Sequence, residues 1–441
     1  MLLPLRFFDY QLARGDLRRE LEADLWSTPE IAAPPELAAP PPRALRVFLS
    51  CAEASGELHA VNLARALAER LAALNAPPPE LVGLGSERLV AAGLRAVGDP
   101  VQRAAMGFGG MLSSLPYYSR LLADCARVLR DETPDVCVLV DSPALHVPLG
   151  HIARRYGIPV VHFATPQYWA WAPWRARGYK SAVSRALTIL PFEPSWFRRR
   201  GIDCAHVGHP LQDDLARVSP TQAAPDSRVL VLLPGSRESV IDRNLPWMLA
   251  ACGRLRERAP ELEIVVAQGN PNLVQRCRQH VDSNSMQIQA RVEGDVHGSL
   301  SQARAALSVS GTVLLDILHH RLPTVVIYRL EGRREDWMRK HLLTCPHFAS
   351  INLLAGRGVV PEFAFAGTGP TAAVDEELWA LFADEQRRQA CRAGLDLAAQ
   401  RLGPAGACAR AADQCLLFAL GPGAPGAAAA PTIPPLAAAR T

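Results

Sequence analysis

The stretch VLVLLPGSRESVIDRN, residues 229–244, decides the fold. An unbroken apolar run meets a Pro-Gly-Ser-Arg turn, and the spacing beyond the turn predicts a helix. A buried strand that turns directly into a helix is half of a parallel-sheet unit, and the turn between them is a seat for an anion. Gly235 lets the backbone come close to a ligand, and Ser236 opens a helix start that offers unpaired N–H groups and the positive end of a dipole. Arg237 adds a planar fork suited to phosphate. The turn lacks the Gly-Lys-Ser/Thr ending of a nucleoside triphosphatase loop, so that chemistry is excluded.

Working outward, the same alternation fills the chain. LRVFLS (45–50), PDVCVLVD (134–141), IPVVHFAT (158–165) and ALTILPF (186–192) read as strands, with helical patterns between them. A polar break at 217–227 separates these from a second run: RVLVLLPG, LEIVVAQG, MQIQARV, ALSVS and PTVVIYR, again with helices between. The expected fold is therefore α/β, with two doubly wound, Rossmann-like domains facing a cleft. The boundaries read as an N-terminal extension and Pro/Ala linker (1–44), a first domain (45–220) and a second domain (221–380). C-terminal helices (381–420) that pack back on the first domain and a disordered Pro/Gly/Ala tail (421–441) complete the chain. Within the extension, one short helix is expected from Gly15 to Leu25.

Bulk composition narrows the function classes. The 441 residues exceed one ordinary core. Lys and Arg number 47 against 43 Asp and Glu, a net charge of +4 that gives no ground for nucleic acid as a partner. The ten cysteines form no Cys-x-x-Cys pair and no zinc spacing, so they read as reduced core thiols of a cytoplasmic protein. No secretory signal and no run of about 18 apolar residues is found, so any membrane contact is expected to be peripheral.

A second anion seat lies in SVSGTVLLD (308–316). Ser310, Gly311 and Thr312 fall between a short strand and a helix, and Asp316 follows one turn on, placed for a sugar diol. INLLAGRG (351–358) supplies Asn352 and Arg357 as a further phosphate or base clamp. Two anion seats in one sheet fit a diphosphate carrying a ribose. No Asp-x-Asp pair occurs, so the diphosphate is expected to be neutralised by Arg, backbone N–H groups and helix dipoles. No metal site and no cofactor are expected, and metal-independent nucleotide-sugar chemistry fits best.

In the first domain, CAEASGELHA (51–60) places Ser55 and Gly56 in a turn after a strand, with Glu57 in the first helical turn. VLVDSPALH ends a strand with Asp141, a carboxylate facing the cleft and suited to taking a proton from a sugar hydroxyl. His146, His162 and His209 are alternative bases. PQYWAWAPWRARGYK (166–180) puts Trp169 and Trp171 beside Arg175, Arg177 and Lys180, as a lipid headgroup surface requires. MGFGGMLSSLPYYSRLL (106–122), with Met106, Phe108 and Met111, carries too many apolar bulks for a solvated helix and reads as a patch for acyl chains.

Taken in order, EASGE, MGFGGML, VDSP, ATPQYWAW, LPFEP, VGHPL, LLPGSR, SGT and NLLAGR resemble the lipid-A-disaccharide synthases, glycosyltransferases of the GT-B architecture, from about 45 to 415. The resemblance implies inverting transfer from UDP-2,3-diacylglucosamine to the 6-hydroxyl of 2,3-diacylglucosamine 1-phosphate (lipid X), releasing UDP, at the inner face of the cytoplasmic membrane. It implies Asp141 as base, and Arg237, Ser310, Gly311, Thr312 and Asn352 on the UDP side. A homo-oligomer is compatible with it. Several family carboxylates are replaced here: Gly110 and Gly358 stand for acidic residues, Ala144 for an aspartate, and Asp316 for a glutamate. Those losses motivate the competing readings, a catalytically silent lipid- or UDP-sugar-binding relative and another GT-B enzyme such as a UDP-N-acetylglucosamine epimerase.

Overall fold

The computed structural model describes residues 3–27, 30–105, 115–221, 224, 226–284 and 287–421. Two parallel sheets organise it. The first takes strands β1 (Arg46–Cys51), β2 (Glu80–Leu84), β3 (Leu94–Gly98), β4 (Val136–Val140), β5 (Val160–Phe163), β6 (Arg185–Thr188) and β7 (Cys204–His206) in the order β3-β2-β1-β4-β5-β6-β7. The second takes β8 (Val229–Leu233), β9 (Glu263–Ala267), β10 (Arg291–Glu293), β11 (Ala303–Val309), β12 (Thr324–Arg329) and β13 (Glu362–Phe365) in the order β10-β9-β8-β11-β12-β13. Every pairing is parallel.

The central strands are buried on both faces, which is why they read as continuous apolar runs. In both sheets the order reverses once, between β1 and β4 and between β8 and β11. At such a reversal the flanking helices leave on opposite faces and open a crevice beyond the strand ends.

Segments beyond the carboxyl ends of the two sheets touch. Thr344, beyond β12, donates its hydroxyl to the Trp169 carbonyl, and its N–H lies 2.8 Å from the Ala170 carbonyl, beyond β5. The chain returns after the second sheet to place helix Ala407–Leu420 on the first, where Ala411, Ala412, Cys415 and Leu416 join a core with Leu63 and Leu67 of helix Ala54–Ala73. Asp213 caps that returning helix, accepting from the N–H groups of Gly406, Ala407 and Cys408 at 2.6–2.9 Å.

Three sequence expectations change. The N-terminal helix runs Leu3–Leu25, longer than the segment from Gly15, and its added turns pack through Tyr10, which is buried, and Arg14. It spans both halves: Asp24 pairs with Arg199, Glu20 with Arg200, and Tyr10 and Arg14 donate to the carbonyls of Leu342 and Leu343. The strand expected in MQIQARV narrows to Arg291–Glu293, an edge strand with little apolar run to support it. β2, β3, β7 and β13 were not expected; all are short, and in the edge strands β3 and β13 half-exposed residues break the apolar pattern, while β7 has only three residues and β2 is interrupted by Gly83. Met106, Phe108 and Met111 lie outside the described residues, as does the tail beyond Gly421.

Candidate functional site

Both candidate loops stand at the two reversals of strand order. In the second sheet, β8 ends at Leu233 and Pro234-Gly235-Ser236-Arg237 leads into helix Glu238–Ala251. Gly235 has φ of +118°, and a Cβ there would fall 2.5 Å from Val240 Cγ1, so the turn needs glycine. Its carbonyl accepts a 2.9 Å hydrogen bond from Gln268 Nε2, beyond β9. Ser236 and Arg237 are exposed, and Arg237 occupies the N-cap without closing the helix end with its side chain. The first N–H groups of that 14-residue helix therefore receive no cap from the Arg237 side chain.

Across the reversal, β11 leads through Ser310-Gly311-Thr312 into helix Val313–His320. Gly311 and Thr312 are exposed, and Thr312 makes no capping bond with its hydroxyl. Capping therefore does not account for this residue. Ser310 instead donates its hydroxyl to the Phe348 carbonyl at 2.7 Å, tying the seat to the segment after β12. Asp316 lies three residues into the helix, mostly buried, its carboxyl pushed up to about 6 by burial and its Oδ1 3.9 Å from His297 Nε2.

The third loop is a correction. Asn352 is wholly buried, with Oδ1 accepting from the N–H groups of Val359 and Val360 at 2.8 and 3.0 Å and Nδ2 donating to the Val360 carbonyl. Its amide shapes the chain after the helix and cannot reach a ligand. Arg357 is exposed beyond the far end of helix Ser350–Ala355, next to Gly356, whose neighbours are Arg401 and Leu25. With a rise of about 1.5 Å per residue, this helix carries Arg357 away from Phe348, which is the part of the loop that touches the seat.

In the first sheet, β4 ends at Val140 and Asp141 follows with φ of +57°, then Ser142 with φ of +48°. Two successive left-handed residues that are not glycine cost roughly 1–2 kcal/mol each. Gly56, from the turn after β1, lies against Asp141, and a Cβ there would sit 3.3 Å from the aspartate's own Cβ. Gly56 thus allows the two loops to close on each other at the reversal. Ser55 lies beside it in the first turn of helix Ala54–Ala73, and Glu57 is buried and accepts from the Ser86 hydroxyl.

The alternative bases are excluded by burial. His146 and His162 are wholly buried, and burial pulls them down to about 3 and about 4. His209 is also buried and falls to about 3, while its Nδ1 accepts from the Leu211 N–H at 3.2 Å. Trp169 is a second correction. It is buried, packed edge-on to Phe192, and donates Nε1 to Glu193 at 3.1 Å. Glu193 also accepts from the N–H groups of Ile189 and Leu190, and burial pushes its carboxyl up to about 7. Trp169 is therefore a strut, and Trp171, 41% exposed with the Arg175 guanidinium 5.3 Å from its ring, carries the amphipathic surface.

Sequence reasoning missed Gln268 and Thr344. Gln268 follows an apolar strand in the same way that Pro234 and Ser310 do, so its place at a strand end was a usable signal. Thr344 has no such marker.

The family model for lipid-A-disaccharide synthetase matches residues 47–410. The lipid-A-disaccharide synthase of Myxococcus xanthus is 34% identical over 383 residues, covering 84% of this chain and 97% of its own length. That of Paraburkholderia phytofirmans is 32% identical over 354 residues, covering 79% and 90%. Among solved structures, a Listeria monocytogenes protein described as a UDP-N-acetylglucosamine 2-epimerase aligns with a TM-score of 0.55 at 14% identity, covering 85% of this chain and 96% of its own. The S. aureus MnaA-UDP co-structure aligns at 0.52 with 14% identity, covering 79% and 91%. At that identity the likeness is one of fold, shared by glycosyltransferases and epimerases of the two-sheet GT-B type.

Proposed function

This chain belongs to the lipid-A-disaccharide synthetase family of glycosyltransferases, and from that premise we propose how its two strand-order reversals divide the reaction. The second sheet takes the UDP of an acylated UDP-glucosamine. Gly235, Ser236 and the helix beginning at Glu238 offer backbone N–H groups to the diphosphate, and Arg237 turns onto it. Gly311 and Thr312 border the same crevice, and Asp316 serves the ribose side.

The first sheet takes the acylated glucosamine 1-phosphate. Asp141 accepts the proton of its 6-hydroxyl as that oxygen bonds to the anomeric carbon of the donor. The bond from that carbon to the β-phosphate oxygen breaks on the opposite face, so the configuration inverts and UDP leaves. Negative charge grows on the departing diphosphate, where Arg237 and the helix dipole act most strongly.

The observation that supports this reading is the placement of Asp141 with Gly56, and of Gly235–Arg237 with Gly311–Thr312, at the reversal of each sheet. Mass spectrometry of a mixture of purified protein, acylated UDP-glucosamine and acylated glucosamine 1-phosphate tests it. The expected products are a tetra-acylated disaccharide 1-phosphate and UDP in equal amounts. UDP release without disaccharide, or epimerised donor, would overturn it.

Both substrates carry acyl chains, so the protein is proposed to work on the cytoplasmic face of the membrane. Among the described residues no helix is long and apolar enough to cross it. Trp171 with Arg175, and Leu115, 59% exposed at the start of helix Leu115–Glu132, are the surfaces that favour it. Sedimentation with anionic vesicles is expected to carry the protein down, and Trp171→Ser with Leu115→Ser is expected to leave more of it in solution.

A further inference from the structure

The strained turn at Asp141 is held from beneath by two histidines that the reaction scheme does not use. His146 Nδ1 lies 2.6 Å from the Asp141 carbonyl oxygen, and His162 Nε2 lies 2.8 Å from the same oxygen. A carbonyl only accepts, so each of these nitrogens carries a proton, and the two N–H groups occupy both lone pairs of one oxygen. That assignment makes His146 Nε2 an acceptor, and the Ser50 hydroxyl, 2.9 Å away, donates to it. The rings meet edge to face, 5.9 Å apart.

The groups come from two strands and a helix: Ser50 from β1, His146 from helix Pro143–Arg155, and His162 from β5. At the residue's other peptide, the Asp141 N–H donates to the Phe163 carbonyl at 2.9 Å. The ring of Tyr179, 5.5 Å from that of His162, closes the remaining side. A hydrophobic pair would fill this space, but it would take both of these N–H donors from a carbonyl in a left-handed turn.

We propose that His146 and His162 are positioning residues, whose paired grip on the Asp141 carbonyl aims the Asp141 carboxylate at the acceptor hydroxyl. The proposal rests on the reading of Asp141 as the base. Both imidazoles are depressed far below neutrality and stay uncharged there, so the grip does not change between pH 6 and 9. Any change of rate with pH in that range belongs to other groups.

The test compares His146→Leu and His162→Leu, which remove an N–H, with His146→Asn and His162→Gln, which keep an amide N–H close to the same point. Turnover, donor KM, calorimetric UDP affinity and the pH profile of kcat are measured for all four and for Asp141→Asn. The leucine variants are expected to lose about ten- to a hundred-fold in kcat, the scale of a misplacement near 1 Å, with UDP affinity unchanged. The amide variants are expected to recover most of that loss. Leucine variants that melt cooperatively and keep wild-type kcat would overturn the grip, as would amide variants that show no recovery. If a leucine variant does not fold, the amide variants decide: a wild-type acidic limb in their kcat profile supports the grip, and a displaced one overturns it. Retained turnover in Asp141→Asn would instead sink the base reading itself, so the two failures are distinguishable.

Discussion

The two reversals of strand order solve different problems with opposite means. At β1/β4, Asp141 stands on a strained backbone, gripped by His146 and His162, which are both wholly buried, and pressed by Gly56. At β8/β11, Ser236, Arg237, Gly311 and Thr312 are all exposed. A base must meet one hydrogen in one direction, and its place has to be fixed before substrate arrives. A diphosphate is held by a helix dipole and by several donors at once, so no single holder has to be fixed as tightly. On the proposed division of roles, burial around each reversal follows the chemical task and not the sheet as a whole.

The largest effect should come from the rigid side. Asp141→Asn is expected to lower kcat about 10²–10⁴-fold, with UDP affinity by calorimetry unchanged. If UDP affinity falls in step, the two sides are not separable and the comparison fails. Arg237→Ala tests the open side. It removes a charged phosphate contact of about 1.5–3 kcal/mol, so kcat/KM for the donor should fall roughly 10- to 150-fold while the acceptor KM stays in place.

Acid stability sharpens the contrast further. The folded-state values of His146 and His162 are depressed to about 3 and about 4, below the unfolded value near 6.5. The folded protein therefore binds fewer protons than the unfolded chain once pH falls below that value. Stability should be present above pH 6.5 and lost as pH drops towards the folded values. In denaturant titrations, His162→Gln should lose less stability than wild type over that interval, by up to about 1.4 kcal/mol per pH unit. An identical slope in both would show that the histidine titrates alike in both states. The smallest effect is expected where the two halves touch. Thr344→Val removes the hydroxyl donated to the Trp169 carbonyl and should cost about 0.5–1.5 kcal/mol, read as a lowered melting temperature.

Much of the proposed site was legible because strand ends are legible. A run such as VLVLL or VCVLV announces a buried parallel strand, and the polar residue just past it lies at the cleft edge whatever the sheet order. Asp141, Gly235, Arg237, Gly311 and Thr312 were placed just past strand ends in that way, and the structure puts them there. Asn352 and Trp169 misled because residue type alone does not say whether a polar atom is already used. Asn352 gives its amide to the backbone of Val359 and Val360, and Trp169 gives its indole to Glu193. The N-terminal helix was under-read for a related reason: its partners, Arg199, Leu342 and Arg401, lie far along the chain.

The sequence by itself determined the alternation of strands and helices, the two-sheet architecture and the residue types set at each strand end. These depend on apolar period and on glycine, proline and charge within a few residues, which act locally. Tertiary structure alone decided which loops meet at a reversal, which side chains are occupied and which remain exposed. It brought two histidines 16 residues apart onto one carbonyl oxygen. Such convergence is fixed by how strands lie side by side, a relation between distant segments that no local pattern records.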